Sequence, residues 1–312
     1  MYTGALENRP DLIARIDRPL WGNPPDVVRA IRSPRRWTQC LRDGGFPCPT
    51  VADAPAGHGR WLLKPRRSAG GFGIQGYVGQ RFDSHTHFLQ EHIDGLPCSG
   101  IYIGFGDDAA FLGATGQLIG THWLNAPGFQ YAGNIGPLPL EAEAYFRWQA
   151  LGTTIARAFG LRGLFGIDAI VRDSVPWPVE INPRYPASLE ILERSLGEPW
   201  LLWHRDAFNL HRSAGGSPAS THAGGPPAQR VHGKAILYAR HTCTFPQPGP
   251  WEASLVRGID LDRTEYADIP HPGDVIDAGR PVMTLFAAGT TVDECEAMLK
   301  EKADALARRL WG

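Results

Sequence analysis

The pattern of apolar and polar positions switches repeatedly between strand-like alternation and helical spacing. Gly166-Ile167-Asp168-Ala169-Ile170-Val171 is rich in β-branched residues, and Val179-Glu180-Ile181-Asn182-Pro183-Arg184 carries a polar side chain at every second position. Both read as strands, with Arg172-Asp173-Ser174-Val175-Pro176 as the turn between them. A hairpin centred on Ser174 sets Asp168 opposite Glu180, and Glu180, Asn182 and Arg184 project from one face. Trp61-Leu62-Leu63-Lys64-Pro65 reads as a buried strand ending in a lysine. Ser68-Ala69-Gly70-Gly71-Phe72-Gly73 follows as a turn, and Ile74 to Val78 as the next strand. Phe88 to Gly95 reads as a short strand running into a turn.

Helical spacing predicts one helix within Pro24 to Leu41, closed by Gly44-Gly45 and Pro47 to Pro49. A second covers Glu141 to Phe159, with Leu151, Ile155 and Ala158 on its apolar face and Gly160 as its stop. Thr121 to Leu140 reads as a long irregular loop, of the length used for lids. After a helical stretch from about Leu189 to Leu210, Ser213 to Pro227 has linker composition. A strand at Gly233 to Ala239 opens the C-terminal part. A helix from about Val292, with Thr291 and Glu294 as a capping box, ends it.

Two carboxylates facing each other across a ladder, with Cβ atoms about 4.5–5.5 Å apart, repel unless a positive charge lies between them. A hard divalent cation fits Asp168, Glu180 and Asn182, because magnesium prefers one or two carboxylates plus substrate phosphates. An edge hairpin with its polar face in water is the alternative. Lys64 and the glycine turn add a second nucleotide-type signal. The glycines lie between strands, whereas Walker and dinucleotide-binding loops lead into a helix, and the kinase lysine follows its glycine loop instead of preceding it.

In order and spacing, Lys64, the glycine turn, Gln90-Glu91-His92-Ile93-Asp94-Gly95, Asp168 and Glu180-x-Asn182-Pro183-Arg184 resemble the ATP-grasp superfamily. Tyr2-Thr3-Gly4-Ala5-Leu6-Glu7-Asn8, Trp61 to Pro65 and Ala267-Asp268-Ile269-Pro270 resemble, more narrowly, the group described as predicted ATP-dependent carboligases related to biotin carboxylase. The resemblance covers nearly the whole chain. It implies an α+β ATP-grasp fold, two α+β subdomains sandwiching ATP. It also implies that Lys64 contacts the phosphates and that the loop of Ser68, Gly70, Gly71 and Gly73 folds over them. By the same resemblance Gln90 to Ile93 holds adenine, with Glu91 and Ile93 using backbone groups. Asp168, Glu180 and Asn182 would bind Mg2+, with Mn2+ as an alternative, and Arg184 would stabilise the transferring phosphoryl group or an acyl phosphate.

Three departures mark the chain. Counting back from Gly45-Phe46-Pro47-Cys48-Pro49 to the superfamily's earlier phosphate lysine lands on Pro34, so Arg32, Arg35 or Arg36 would substitute. Biotin carboxylases follow the arginine with glutamine and glutamate for bicarbonate chemistry, where this chain has Pro186 and Ser188. The segment before Lys64 is short for a complete first α/β domain, and Met1 to Gly4 reads as the end of an internal strand. The expected organisation is therefore a partial pre-ATP-grasp segment (1–58), an ATP-grasp domain (59–210), a linker (211–229) and a β-rich C-terminal unit ending in a helix (230–312).

Composition narrows the classes. With 43% hydrophobic and 20% charged residues among 312, the chain is an ordinary globular sequence. A net charge of -1 offers no general attraction to nucleic acid or to a membrane surface. Cys40, Cys48, Cys98, Cys243 and Cys295 show no metal-type spacing and read as reduced thiols of a cytoplasmic chain. No apolar run spans a membrane, and no signal-peptide pattern opens the sequence. His85-Thr86-His87 lacks a completing ligand and reads as structural or exposed. No G-x-S-x-G elbow is present.

The expected activity is an ATP- and Mg2+-dependent ligase that activates a small-molecule carboxylate as an acyl phosphate for attack by an amine. A bicarbonate-using carboligase and a non-catalytic ATP-binding protein are the alternatives. Nothing in the sequence sets an oligomeric state.

Overall fold

The computed structural model describes residues 4–55, 59–209, 230–246, 248–256 and 264–312. Met1 to Thr3 and the segment expected to be a linker, 211–229, lie outside them. In chain order the described elements are α1 (Gly4–Glu7), α2 (Pro10–Ile13), α3 (Pro25–Ile31), α4 (Pro34–Asp43), β1 (Val51–Ala52), β2 (Trp61–Pro65), β3 (Gln75–Gly76), β4 (His87–Glu91), β5 (Leu96–Phe105) and β6 (Ala109–Ile119). A single 3-10 turn at His122–Leu124 precedes β7 (Tyr131–Gly136), α5 (Ala142–Phe159), β8 (Arg162–Arg172), β9 (Val175–Asn182), α6 (Leu189–Leu196) and α7 (Trp200–Asn209). The rest are β10 (Val231–Tyr238), β11 (Cys243–Thr244), α8 (Glu252–Val256), β12 (Tyr266–Ala267), β13 (Val275–Ile276), β14 (Pro281–Gly289) and α9 (Val292–Trp311). No described helix is long and apolar enough to cross a membrane.

The chain forms two compact units, neither continuous in sequence. The first takes residues 1–114, 139–189 and 199–225; the second takes 115–138, 190–198 and 226–312.

In the first unit a small sheet has the order β1-β4-β2-β3. Alternation divides its two faces. Trp61, Leu63 and Leu89 form a buried cluster on one side, and Lys64 with its cross-strand partner Phe88 occupies the other. A second set of strands pairs β5 with β8 over ten residues, from Leu96 opposite Val171 to Phe105 opposite Arg162, and β8 with β9. Helix α5 buries Trp148, Leu151, Gly152, Ile155 and Ala156. Ala158, expected on that face, is exposed, because the stripe turns toward Trp148. The absence of a side chain at Gly152 admits the ring of Tyr102, which a Cβ would meet at 2.2 Å. Tyr102 stacks on Phe165 at 4.9 Å and donates its hydroxyl to the Trp148 carbonyl at 3.0 Å.

The N-terminal segment packs into this unit, burying Val28, Ile31, Trp37 and Leu41. The single helix expected in Pro24 to Leu41 is two, because Ser33-Pro34 interrupts the run and Pro34 opens α4 at a position where its missing N–H costs nothing. The Asn23 amide brackets Arg162, accepting its N–H at 2.9 Å and donating to its carbonyl at 3.1 Å. His204 on α7 accepts the Leu164 N–H at 2.9 Å through Nδ1, and Nε2 lies 3.1 Å from the Trp21 carbonyl.

In the second unit the end of β6 pairs with β7, β7 with β10, β10 with β14, and β14 with β12. Leu237, Phe245, Trp251, Leu285, Cys295 and Leu299 belong to its core. Thr121 to Leu140, expected to be an irregular loop, contains the 3-10 turn and β7. The helix expected from Leu189 to Leu210 is broken at Gly197, φ +67, and Pro199, which gives α6 and α7. Helix α9 begins as expected, with Thr291 Oγ1 accepting the Glu294 N–H at 3.1 Å. The Glu294 carboxylate reaches one residue further back than in a capping box, to the Thr290 N–H at 2.6 Å. Asp268 of the Ala267 to Pro270 motif holds a left-handed turn (φ +53) and accepts the Thr284 hydroxyl at 2.7 Å. Lys234, buried in β10, pairs with Glu190 at 3.2 Å, and the Arg194 guanidinium lies 3.6 Å over the Phe286 ring.

Candidate active site

The β8–β9 hairpin turns at Asp173 and Ser174, both at positive φ (+52 and +60), as a two-residue hairpin turn of the primed type requires. The turn is tighter than the five residues expected, since Val175 and Pro176 already pair with Arg172 and Val171. The ladder runs Ala169 opposite Pro178 and then Asp168 opposite Glu180, so Val179 is an extra, bulged residue. The bulge sets the two carboxylates face to face. The Val179 carbonyl accepts Lys64 Nζ at 3.3 Å and the Gln90 amide at 3.1 Å.

Lys64 and Gln90 sit diagonally on the same face of the small sheet, and Nζ donates to Gln90 Oε1 at 3.0 Å. Burial lowers the Lys64 pKa, and the charges of Glu180 and Asp168 act in the opposite direction. An open cleft of about 520 Å³, counting its solvent-filled mouth, is lined by Ile31, Arg32, Trp37, Lys64, Phe88 and Glu180 among others. Ser68 and Gly71 line it too, whereas Gly70 and Gly73 belong to the same turn without lining it. Gly70, Gly71 and Gly73 all adopt positive φ, which side-chain-bearing residues rarely do, and the Ser68 hydroxyl donates to the Phe72 carbonyl at 2.5 Å. Glu91 and Ile93 do not line the cleft. The Glu91 N–H donates to the Thr50 carbonyl at 2.9 Å, and the Glu91 carboxylate accepts the Thr50 N–H at 3.0 Å.

Asp168 is half-buried between two strands, opposite Ser99 on β5 and Glu180 on β9. Its pKa is pushed up to about 6, by burial first and by Glu180 second, against hydrogen bonds from Ser99 and Asn182 and the charge of Arg184. Ser188 Oγ donates to Ser99 Oγ at 3.0 Å, so the residue four places after Arg184 is built into the support of Asp168. Asn182 Nδ2 donates to Asp168 Oδ2 at 3.0 Å, and Asn182 Oδ1 accepts Arg184 Nη2 at 3.1 Å. Asp168, Asn182 and Arg184 therefore form one chain of contacts.

Of the three arginines expected to replace the missing lysine, Arg32 alone lines the cleft. It donates to Glu180 Oε1 at 3.2 Å, to Asn8 Oδ1 at 2.8 Å and to the Arg66 carbonyl at 3.2 Å. Arg35 is exposed and pairs with Asp53 at 2.5 Å. Two residues that sequence reasoning did not single out as site residues join here. Asn8 also donates to the Ser68 carbonyl at 3.2 Å, and the buried Glu7 accepts Arg184 Nε at 3.0 Å.

The donor chemistry suits a hard divalent cation: two carboxylates and an amide oxygen, with the facing Glu180 adding to the burial that raises the Asp168 pKa. Arg32 on Glu180 and the Asn182 amide on Asp168 are contacts that such a cation would replace. Among the described residues no group of three or more His, Cys, Asp or Glu side chains could hold a metal.

The raised pKa also makes Asp168 a stability liability. An unfolded aspartate ionises near its ordinary value and the folded one near 6. Folding is therefore unpenalised below about pH 4 and penalised above about pH 6, by up to about 3 kcal/mol. Asp168→Asn should raise the melting temperature of the ligand-free protein by a few degrees at pH 7.5, and the gain should vanish near pH 4. A variant less stable at pH 7.5, in thermal unfolding across that range, would contradict the assignment.

A model of the ATP-grasp domain matches residues 33–188, half of the chain. The chain belongs to the ATP-grasp superfamily. Three solved structures share its fold, each at low sequence identity. An L-amino acid ligase from Bacillus licheniformis has a TM-score of 0.70 at 16% identity, over 97% of this chain and 77% of that one. The biotin carboxylase domain of the Hydrogenobacter thermophilus 2-oxoglutarate carboxylase, in complex with MgADP and bicarbonate, has 0.67 at 13%, over 99% and 73%. A carboxyaminoimidazole ribonucleotide synthase from Aspergillus clavatus, complexed with ATP, has 0.64 at 14%, over 92% and 76%. Among curated proteins, an uncharacterized protein of Methanocaldococcus jannaschii is 26% identical over 187 residues, 56% of this chain. The matched region spans 40% of that relative's length. The fold and the family are thus those the sequence motifs implied.

Proposed function

We propose that this ATP-grasp chain is a ligase that activates a small-molecule carboxylate as an acyl phosphate and passes it to an amine, releasing ADP and phosphate. The observation that carries the choice of amine over bicarbonate lies just after Arg184. Pro186 packs its ring about 3.0 Å from where a Cβ on Gly166 would stand, and Ser188 spends its hydroxyl on Ser99. Neither offers an acid or base to handle bicarbonate.

In this reading Lys64 and Arg32 hold the ATP phosphates, the Ser68 to Gly73 turn covers them, and the Gln90 to Ile93 segment carries adenine through the Glu91 and Ile93 backbone. Asp168, Glu180 and Asn182 hold Mg2+, which when bound neutralises phosphate charge. Arg184 faces the charge that develops on the transferring phosphoryl group. These residues contribute position and charge, since phosphoryl transfer asks little covalent chemistry of a protein.

The test is ADP release from Mg-ATP across a matrix of carboxylates and amines, with bicarbonate as a separate arm. Release that requires both an organic carboxylate and an amine supports the proposal. Release driven by bicarbonate alone, or ATP binding without turnover in any arm, overturns it.

A further inference from the structure

Arg184 is gripped from three directions. Nε donates to Glu7 Oε2 at 3.0 Å, Nη1 to the Tyr185 carbonyl at 3.1 Å and Nη2 to Asn182 Oδ1 at 3.1 Å. Two of these partners are its own sequence neighbours. The third comes from 177 residues away, on the first helical turn of the chain. Gly4, one turn before Glu7, closes the same side. A Cβ there would lie 3.2 Å from Arg184 Nε and 3.4 Å from Cζ, so bare backbone approaches the guanidinium. Residues three apart on a helix share a face, which is why Gly4 and Glu7 meet one group.

Glu7 is poorly explained as a stabilising residue. It is 1% exposed, and its second oxygen, Oε1, is buried without a hydrogen-bond partner among the described residues. Burial raises its pKa despite the neighbouring charges of Arg184 and Arg32. A buried ion pair with an unsatisfied oxygen is at best neutral for stability compared with an apolar pair of similar volume. What it does provide is orientation. Nε is the one donor of a guanidinium fixed to the side-chain stem, so a carboxylate on Nε sets the plane in which the Nη groups point.

We infer that Glu7 is a positioning residue that, with the bare backbone at Gly4, fixes the plane of the Arg184 guanidinium for phosphoryl transfer. The inference rests on the ligase reading for its catalytic consequence, though not for its geometric content. Glu7 touches neither nucleotide nor metal in that reading and acts only through Arg184.

Two measurements separate these parts. With the carboxylate–amine pair that gives the fastest ADP release, Glu7→Gln, which keeps the shape and one acceptor, should lower kcat about tenfold. Glu7→Ala should lower it about a hundredfold, with KM for ATP changed less than about threefold. In an Arg184→Lys background, Glu7→Gln should cost less than about threefold, because the group it orients is gone. An equal loss in both backgrounds, or a loss confined to KM, overturns the inference. Independently of turnover, the Arg184 15Nε–H resonance, assigned by its absence in Arg184→Lys, should exchange slowly with solvent in the resting protein. It should be broadened or lost in Glu7→Ala. An unchanged resonance in a folded Glu7→Ala protein overturns the positioning role even if the ligase reading stands. A lost resonance in a protein that never releases ADP leaves positioning supported and the ligase reading rejected.

Discussion

Glu180→Ala should abolish ADP release, by about 10³-fold or more, while the ligand-free protein stays folded. The reasons lie on the two sides of Glu180. Toward the interior it faces Asp168 and is the second cause of that group's raised pKa, so its removal relieves a repulsion. Toward the cleft its protein partner is Arg32, which keeps the Asn8 and Arg66 acceptors after the substitution. Loss of stability is therefore expected to stay within about 1 kcal/mol, as for a partly exposed ion pair. In the proposed reading the cation, by contrast, would lose one of its two carboxylates. Removing one electrostatic stabiliser of a transition state costs about 10²–10³ in kcat, and a weakened metal site adds to that. The measurement is ADP release beside a far-ultraviolet circular dichroism spectrum and a melting curve. Stabilisation by ATP alone should survive, and the further increment on adding Mg2+ should disappear. Turnover like that of the unsubstituted protein would remove Glu180 from the metal set.

The facing of Asp168 and Glu180 was legible in the sequence, but the route to it was not. A turn centred on Ser174 gives that pairing directly. The chain instead turns between Asp173 and Ser174 and recovers the offset with the bulge at Val179. Alternation reports which side chains share a face over a few residues and is blind to one inserted residue, whose effect depends on what its freed carbonyl finds. Here it finds Lys64 and Gln90, from another sheet. The Trp61 to Pro65 strand, the Thr291 cap and the Gly160 stop were legible for a simpler reason: each is fixed by its own neighbours. Ser33-Pro34 and Gly197 with Pro199 carried visible signals for breaks in the helices, and apolar periodicity concealed them.

Asn8, Glu7 and Arg32 were harder to read for an opposite reason. Their partners Ser68, Arg184 and Glu180 lie 60, 177 and 148 residues away. Glu7 is a single polar residue in a short helix, Asn8 and Arg32 lie just past helix ends, none carries a periodic signal, and nothing local distinguishes Arg32 from Arg35. Only the packing of α3 and α4 turns one toward the cleft and leaves the other exposed. The same holds for Ser188. Its departure from the biotin carboxylase pattern was visible in sequence, while its replacement role, supporting Asp168 through Ser99, required the fold.

Lys64→Met should leave the ligand-free protein about as stable as before and remove its response to ATP. Lys64 is a desolvated cation whose pKa burial lowers, and it is held by Gln90 Oε1 and the Val179 carbonyl. Methionine fills similar volume without a charge to desolvate. The Val179 carbonyl keeps the Gln90 amide as a donor, and Gln90 Oε1 loses one bond, a cost of about 1–3 kcal/mol. That cost and the gain from removing a buried charge oppose each other, so the melting temperature should move by only a few degrees. In the proposed reading the nucleotide, however, would lose a charge-assisted contact worth about 1.5–3 kcal/mol, or roughly 10- to 100-fold in affinity. At an ATP concentration about 100 times the original dissociation constant, a 100-fold loss cuts the stabilisation from about 2.7 to about 0.4 kcal/mol. Mg2+ should not restore it, which distinguishes this variant from Glu180→Ala: one loses the phosphate anchor, the other the cation. If Lys64→Met keeps the full thermal shift with ATP, the phosphates bind elsewhere, and the cleft between Lys64, Arg32 and Glu180 is not the nucleotide site.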